Sequence, residues 1–475
     1  SGIPFVLHRL KIANGVMPLR NTINQFIGST VALATGFSVG REGPAVHLGA
    51  ACSSYIGSKL NLPYNAIRSL SACGIAAGIA ACFNTPIAAV LFVMEVILRE
   101  YKVHIFIPVM IAAIVGSMTT SSIFGPSHEF GYFTSIALNS EHYPALVLLG
   151  IVLGVFGFIF NRYLILVIKH SARFHIVPRI LTAAFITGAL GYAVPYAMGT
   201  DLGAINFSLQ NNLELQLLFG LLVAKMIMTI MALGLGIPGG IIGPILGIGA
   251  IAGTCGSVIA AYFISGDISA SDFALMGMAG FMAATLNAPL AALLCVVEMS
   301  NQIEIIVPAM IVITTSCIAS GQFFGNRSIF IMQLEIQGLP FRRPPIEKFL
   351  QRIGVIGVMD ENITLLQQAE DSAITEALSK QTLSYNIVNK KVKANAETEF
   401  ILYQQSTAKI DVEPTLEKHT LIALCSQSTL AEAYLLLVKE RAGGVYIYQD
   451  NPNEIIGIIS FDYIRSYLLK GKTDK

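Results

Sequence analysis

Residues 226–266 run for 41 positions without an Asp, Glu, Lys or Arg. An apolar helix needs about 20 residues to cross a bilayer core roughly 30 Å thick, whereas a buried helix of a soluble protein uses only about 10 to 14. Seven more charge-free stretches, at 21–40, 69–94, 103–128, 142–161, 180–200, 273–297 and 305–326, reach the same span length. Stretches this long exclude one large soluble α-helical protein. Of the 59 charged side chains, 26 lie in the first 340 residues and 33 in the last 135. The chain is therefore expected to be two bodies in different solvents: a polytopic membrane part followed by a soluble domain. An apolar fraction of 54% also excludes a disordered or collagenous protein. A net charge of +1 with no Lys/Arg run removes the electrostatic footprint of nucleic-acid binding, and no enzyme activity is expected.

The chain opens Ser-Gly-Ile-Pro, without an initiator Met or a basic leader, so its native N-terminus is expected to lie upstream. Without Trp, interfacial anchoring falls to Tyr and to Arg/Lys. The seven cysteines are odd in number and scattered; Cys73, Cys82, Cys255, Cys295 and Cys317 lie in apolar stretches, where they pack as small hydrophobes. Neither disulfides nor a metal site is expected from them.

The membrane part repeats itself. CGIAAGIAACFNTPIAAVLFVME at 73–95 matches MGMAGFMAATLNAPLAALLCVVE at 276–298, with Asn84, Pro86, Ala88, Ala89, Leu91 and Glu95 meeting identical residues at a shift of 203. GREGPAVHLGA at 40–50 matches GIIGPILGIGA at 240–250, with Gly40, Gly43, Pro44, Gly49 and Ala50 conserved at a shift of 200. Two matches in the same order predict a duplicated membrane half. Gly/Pro-interrupted apolar segments at corresponding places in the halves point to a site at the repeat interface near the bilayer midplane. The residues leave inverted and parallel arrangement of the halves open.

The stretch 226–266 is too long for one crossing and is interrupted by GIPGGIIGP at 236–244, which predicts a helix break inside the membrane. Irregular backbone at that depth must line a cavity. Glycine lets a ligand approach the main chain and proline is tolerated at a helix start, so both Gly-Pro segments resemble helix N-termini with free amides, which attract anions. In the first half that segment holds Arg41 and Glu42. A carboxylate at bilayer depth costs roughly 2.5 to 3.5 kcal/mol, which marks Glu42 as functional; the alternative is pairing with Arg41 at a wet helix end.

Taken together, SGIP at 1–4, GREGP at 40–44, GGIIGP at 239–244 and the paired NTP and NAP helix starts resemble the CLC chloride channel and transporter family. The resemblance spans residues 1–338, in family order, and begins at the first signature; the family's first helices are absent. It implies an all-α membrane fold of inverted halves, a homodimer with one pore per subunit, and dehydrated chloride held by main-chain N–H groups and hydroxyls. By motif position, Ser1, Gly2 and Ile3, the amides of Arg41, Glu42 and Gly43, and Gly240, Ile241 and Ile242 hold the anion. Glu42 is the gate, an anion mimic displaced by protonation or by chloride. Two departures follow from the same comparison. Val96 stands where proton-coupled members often carry an inner glutamate, so the inner proton relay is lost. Phe330 stands where the family usually has the tyrosine that touches the central anion. Losing that hydrogen bond weakens the site by up to about one to two orders of magnitude. Glu95 and Glu298 are expected to be structural helix-end residues, and His47 and His104 to make helix-end contacts. Ala88, Ala89, Ala291 and Ala292, together with the neighbouring Leu, Ile and Val, fit either a dimer face or packing within one subunit, and the resemblance tilts toward the dimer.

From Pro344 the pattern changes. A helix over Ser428–Leu436, a strand over Gly444–Tyr448, a turn at Asp450–Asn453, a strand over Ile455–Ile459 and a helix from Phe461 predict a small α/β module. Residues 422–470 resemble a CBS motif, with 354–420 as a degenerate partner after a linker at 339–353. Ser460 and Asp462 stand near the ribose-binding place, but Tyr463 replaces the Asp often found in nucleotide-binding copies. Adenine nucleotide at this CBS-like domain is therefore an open alternative to a dimer brace, and no other cofactor is required. The expectation is a homodimeric chloride channel gated by Glu42 in a bacterial inner membrane, with the CBS-like domain cytoplasmic. The alternatives are a proton/chloride exchanger and a non-transporting membrane sensor.

Overall fold

The computed structural model describes residues 2–125, 140–199, 201–208, 214–263, 269–339, 345–367, 386–392, 398–405, 416–438 and 443–470. The chain divides into two bodies, one of residues 1–56 and 68–341, the other of 57–67 and 342–475.

The first body is helical. Its first half runs through α1 (Gly2–Ile12), α2 (Leu19–Ala34), α3 (Glu42–Lys59), α4 (Tyr64–Phe83), α5 (Pro86–Phe92, continued by a π-helical turn Val93–Leu98) and α6 (Val103–Phe124). Then come α7 (Tyr143–Ser171), α8 (Ile176–Ala193), α9 (Asp201–Ser208), α10 (Leu215–Gly234), α11 (Ile242–Ala260), α12 (Ala270–Leu286), α13 (Pro289–Ser300), α14 (Ile306–Cys317, continued by a π-helical turn Ile318–Phe323) and α15 (Ile329–Ile336). Among the described residues, seven helical stretches are long and apolar enough to cross a membrane; the run 226–266 contributes to two of them, while the runs 21–40 and 273–297 give no such helix. The seven differ in surroundings: 83% of the α11 window is buried in protein, against 11% for α6. One helix is enclosed by the body and the other lies on its surface.

The repeat is a repeat of backbone. In both halves a helix ends in a glycine at positive φ, Gly36 at +82° and Gly236 at +94°, 200 positions apart. Phe37 N donates to Ala32 O at 3.1 Å and Ile237 N to Ala232 O at 3.0 Å, so the same C-cap stops α2 and α10 before the Gly-Pro segment. The predicted break in 226–266 thus falls between Gly234 and Ile242. The matched glycines do matching work farther on. A Cβ on Gly49 would run into Gly74 O, and one on Gly277 into Gly249 O. Small residues let α3 lie on α4 and α11 on α12 with their backbones almost touching, the membrane's substitute for a hydrophobic driving force.

The second body is α/β. Helix α16 (Pro345–Leu350) leads into a four-stranded sheet in the order β1 (Ile363–Gln367), β2 (Asn386–Val392), β3 (Thr398–Gln405), β4 (Leu416–Thr420); β1 and β2 are parallel and the other pairs antiparallel. A three-stranded sheet follows in the order β5 (Ile422–Cys425), β6 (Gly444–Tyr448), β7 (Gly457–Ser460), with α17 (Leu430–Leu437) and α18 (Phe461–Lys470) around it. The helix predicted from Ser428 starts two residues later because Thr429 caps it, its N–H bound by Glu432 Oε2 at 2.8 Å. The stretch 390–405, without a clear pattern in the sequence, contributes the ends of an antiparallel pair, and 393–397 lie outside the described residues. Within this body, Tyr64 N donates to Gln427 O at 2.8 Å and Asn65 Nδ2 to Arg352 O at 2.9 Å.

Candidate anion-binding site

The two Gly-Pro segments meet. Gly40 and Gly240 exchange hydrogen bonds as an antiparallel bridge, N to O at 2.8 and 2.7 Å. Residues matched by the 200-position shift are therefore each other's partners, which puts a local two-fold axis between the halves. Immediately after the bridge, α3 starts at Glu42 and α11 at Ile242, so two helix N-termini start side by side. Gly43 permits the approach: a Cβ there would lie 2.9 Å from Gly239 O and Gly240 Cα.

Helix α11 has no side-chain cap of its own; Ile241 stands at its N-cap and is apolar. Its cap comes from the other half. Glu42, with no solvent exposure, accepts the Ile242 N–H on Oε1 at 2.6 Å. A carboxylate thus sits where a helix start attracts an anion. A Cβ on Gly40 or Gly240 would collide with that carboxylate, so glycine is required on both sides of it.

On the other side of Gly240 lies a cavity of about 250 Å³. Gly2, Ile3 and Pro4 of the first signature, Gly239, Gly240 and Ile241 of the third, and Phe330 all line it. The structure thus brings three distant parts of the predicted site to one hollow, with Glu42, Gly43 and Ile242 behind its glycine wall. Gly2 has φ +73°, a backbone that only glycine adopts freely. Phe330 is 2% exposed and edge-on to Phe92, ring centroids 6.5 Å apart, so its ring is held as an apolar wall. Ser1 lies outside the described residues. The Arg41 guanidinium lies over the Phe83 ring, 5.8 Å from its centroid. Val96 is buried in the π-helical turn that ends α5 and does not line the cavity.

Three polar cavity residues were missed. Arg179 on α8 and Gln333 and Gln337 near α15 share the wall. Arg179 precedes the charge-free stretch 180–200, where a cation marks a span edge, and Gln333 follows Phe330 by three positions, a spacing that places both on one helix face.

Glu95 and Glu298 are caps of another kind. Glu95 accepts from Ala291 N at 2.7 Å and Leu290 N at 3.3 Å, at the start of α13. Glu298 accepts from Ala88 N at 2.8 Å and Ile87 N at 2.9 Å, at the start of α5. Each half caps the other. Between these caps, Ala88, Ala89, Ala291 and Ala292 are at most 4% exposed within the single chain. The four small residues let α5 and α13 pack together, while Ile87 and Leu290 beside them are 58% and 47% exposed. His47 is fully buried and stacks on Phe5 of α1, ring centroids 5.5 Å apart, rather than serving a helix end.

In the second body Ser460 ends β7 and its Oγ accepts from Tyr463 N at 3.2 Å, capping α18. The hydroxyl read as a nucleotide contact is used locally.

Comparison with known proteins gives the same assignment. Among the solved structures similar in fold are the following three. One is a slow cyanobacterial Cl⁻/H⁺ antiporter, 23% identical with TM-score 0.63, covering 71% of this chain and 80% of that one. A eukaryotic CLC transporter is 21% identical with TM-score 0.60, covering 97% of this chain and 84% of that one. A CLC-type fluoride/proton antiporter is 23% identical with TM-score 0.59, covering 70% of this chain and 82% of that one. The family model of the voltage gated chloride channel matches residues 1–321, and the chain belongs to that family.

Proposed function

We propose that the chain moves chloride through the cavity at the repeat interface, with the Glu42 carboxylate as a removable plug. The observation that carries this reading is the 2.6 Å bond from Ile242 N to Glu42 Oε1, which puts a side-chain anion on a helix start that another anion could occupy. Protonation neutralises the carboxylate and removes the charge assistance of that bond, which roughly halves its strength. Chloride then competes for the amide, and no other side chain need move.

Passive conduction is supported by Val96, which cannot accept a proton, and by Phe330, which gives the cavity no hydroxyl. Proton-coupled exchange is the second reading, supported by two of the similar structures, which are proton antiporters. The protein acts as a homodimer in this proposal. Apolar side chains exposed along α6 and α14, among them Ile107, Ile111, Val307 and Met310, support a subunit face or a lipid face. The second body serves as a cytoplasmic CBS-like brace; similarity to the eukaryotic transporter over 97% of the chain supports it.

The test is chloride efflux from liposomes holding the purified full chain, with external pH recorded. Efflux that rises on acidification supports the plug. Uphill proton movement driven by a chloride gradient selects exchange, downhill efflux alone selects conduction, and absence of flux leaves the sensor alternative.

A further inference from the structure

We propose that a second pocket, between α7, α8 and α10, binds one anionic phospholipid, its phosphate on Arg179 and His170 and an acyl chain along Leu166, Val167, Phe174 and Met231. The pocket has a volume of about 620 Å³ and is lined by these residues within the membrane body. Its walls are apolar and its two cationic or ionisable groups are the basic ones just named. The sequence around it is one-sided: residues 142–200 contain no Asp or Glu, while Lys169, His170, Arg173, His175 and Arg179 fall within eleven positions at the α7–α8 turn. Leu166 and Phe174 are 49% and 55% exposed, and only 17% of the α8 window is buried, so the pocket opens where lipid chains lie. Basic pockets between membrane helices hold anionic headgroups by this combination of charge and hydrocarbon. A free phosphate would use the two basic groups and leave the apolar wall empty. The complementarity therefore selects a lipid.

Arg179 also ties the pocket to the anion site. Its Nε donates to Leu235 O at 2.9 Å, and the same residue lines the 250 Å³ cavity beside Gly236 and Gly239. A phosphate on Arg179 would cancel positive potential at the cavity wall and slow anion entry. That consequence rests on the transport reading; the lipid site does not.

Native mass spectrometry of the full chain in detergent tests binding, with dioleoyl phosphatidylglycerol, dioleoyl phosphatidylcholine, oleate and inorganic phosphate as probes. One phosphatidylglycerol per chain is expected, retained roughly tenfold more strongly than phosphatidylcholine, and Arg179→Gln removes that preference. Leu166→Trp keeps every charge, fills the apolar wall and expels the lipid, so the test survives if the arginine variant fails to fold. Equal retention of both phospholipids, retention unchanged in both variants, or displacement by millimolar inorganic phosphate or by oleate would overturn the assignment. In liposomes, chloride efflux is expected to fall as phosphatidylglycerol rises in the wild type and not in Leu166→Trp. Lipid binding without that effect would keep the site and overturn its link to the cavity.

Discussion

Glu95 and Glu298 form a symmetric pair, each closing the helix start of the opposite half with two hydrogen bonds. Glu42 closes α11 in the same way, but its counterpart 200 positions on is Ile242, which has nothing to give α3. The same backbone thus carries two kinds of cap. Where both halves supply an acid, the ends are satisfied for good and the contact is architecture. Where only one half does, the acid has no twin, and in the proposed function the place it fills is the one a mobile ion takes over.

The largest effect is expected from removing Glu42, the acid with no counterpart in the other half. Glu42→Gln should raise chloride efflux roughly ten- to hundredfold, the difference between a charge-assisted and a neutral hydrogen bond, and abolish the pH response. Efflux from liposomes at pH 5 and 8 checks it; a pH response that persists would break the distinction between the two kinds of cap. Ile242→Glu completes the symmetry at the wrong place. Two carboxylates would then share one hollow and one must stay protonated, and efflux should fall by about tenfold at neutral pH. If that variant conducts normally, asymmetry is not what opens the pocket.

The symmetric pair should behave differently. Glu95→Gln and Glu298→Gln each lose charge-assisted capping, at a cost of about 1 to 3 kcal/mol. Their thermal midpoints in detergent should fall by similar amounts, with efflux per folded molecule retained. Unequal losses would show that the two-fold relation is not energetic. Phe330→Tyr is the mildest change. A hydroxyl added to the cavity wall should tighten chloride binding by about tenfold at most, read by calorimetry, without altering the pH response.

The repeat was legible because glycine and proline at helix starts are irreplaceable there, so the duplicated backbone left its mark at Gly40, Gly43 and Pro44 and at their counterparts. The break before Ile242 was legible for the same reason. The two-fold pairing of Gly40 with Gly240 was not, since nothing in two matching strings says that they touch. Glu95 and Glu298 were recognised as helix-end residues, but the ends they serve lie about 200 residues away. Arg179 was hidden by a general difficulty: a cation beside an apolar run marks a span boundary and a cavity wall with the same letter. Ala88 and Ala291 show the converse, since small residues announce close packing without naming the partner.

The reciprocal caps also bear on how this chain could ever be divided. A fragment ending in the α7–α8 turn would insert α5 with its first amides unmet in hydrocarbon, and the complementary fragment would suffer the same at α13. Neither piece should persist alone in a cell, yet made together they carry mutually complementary ends and should find each other, as a split protein that reassembles without a tether.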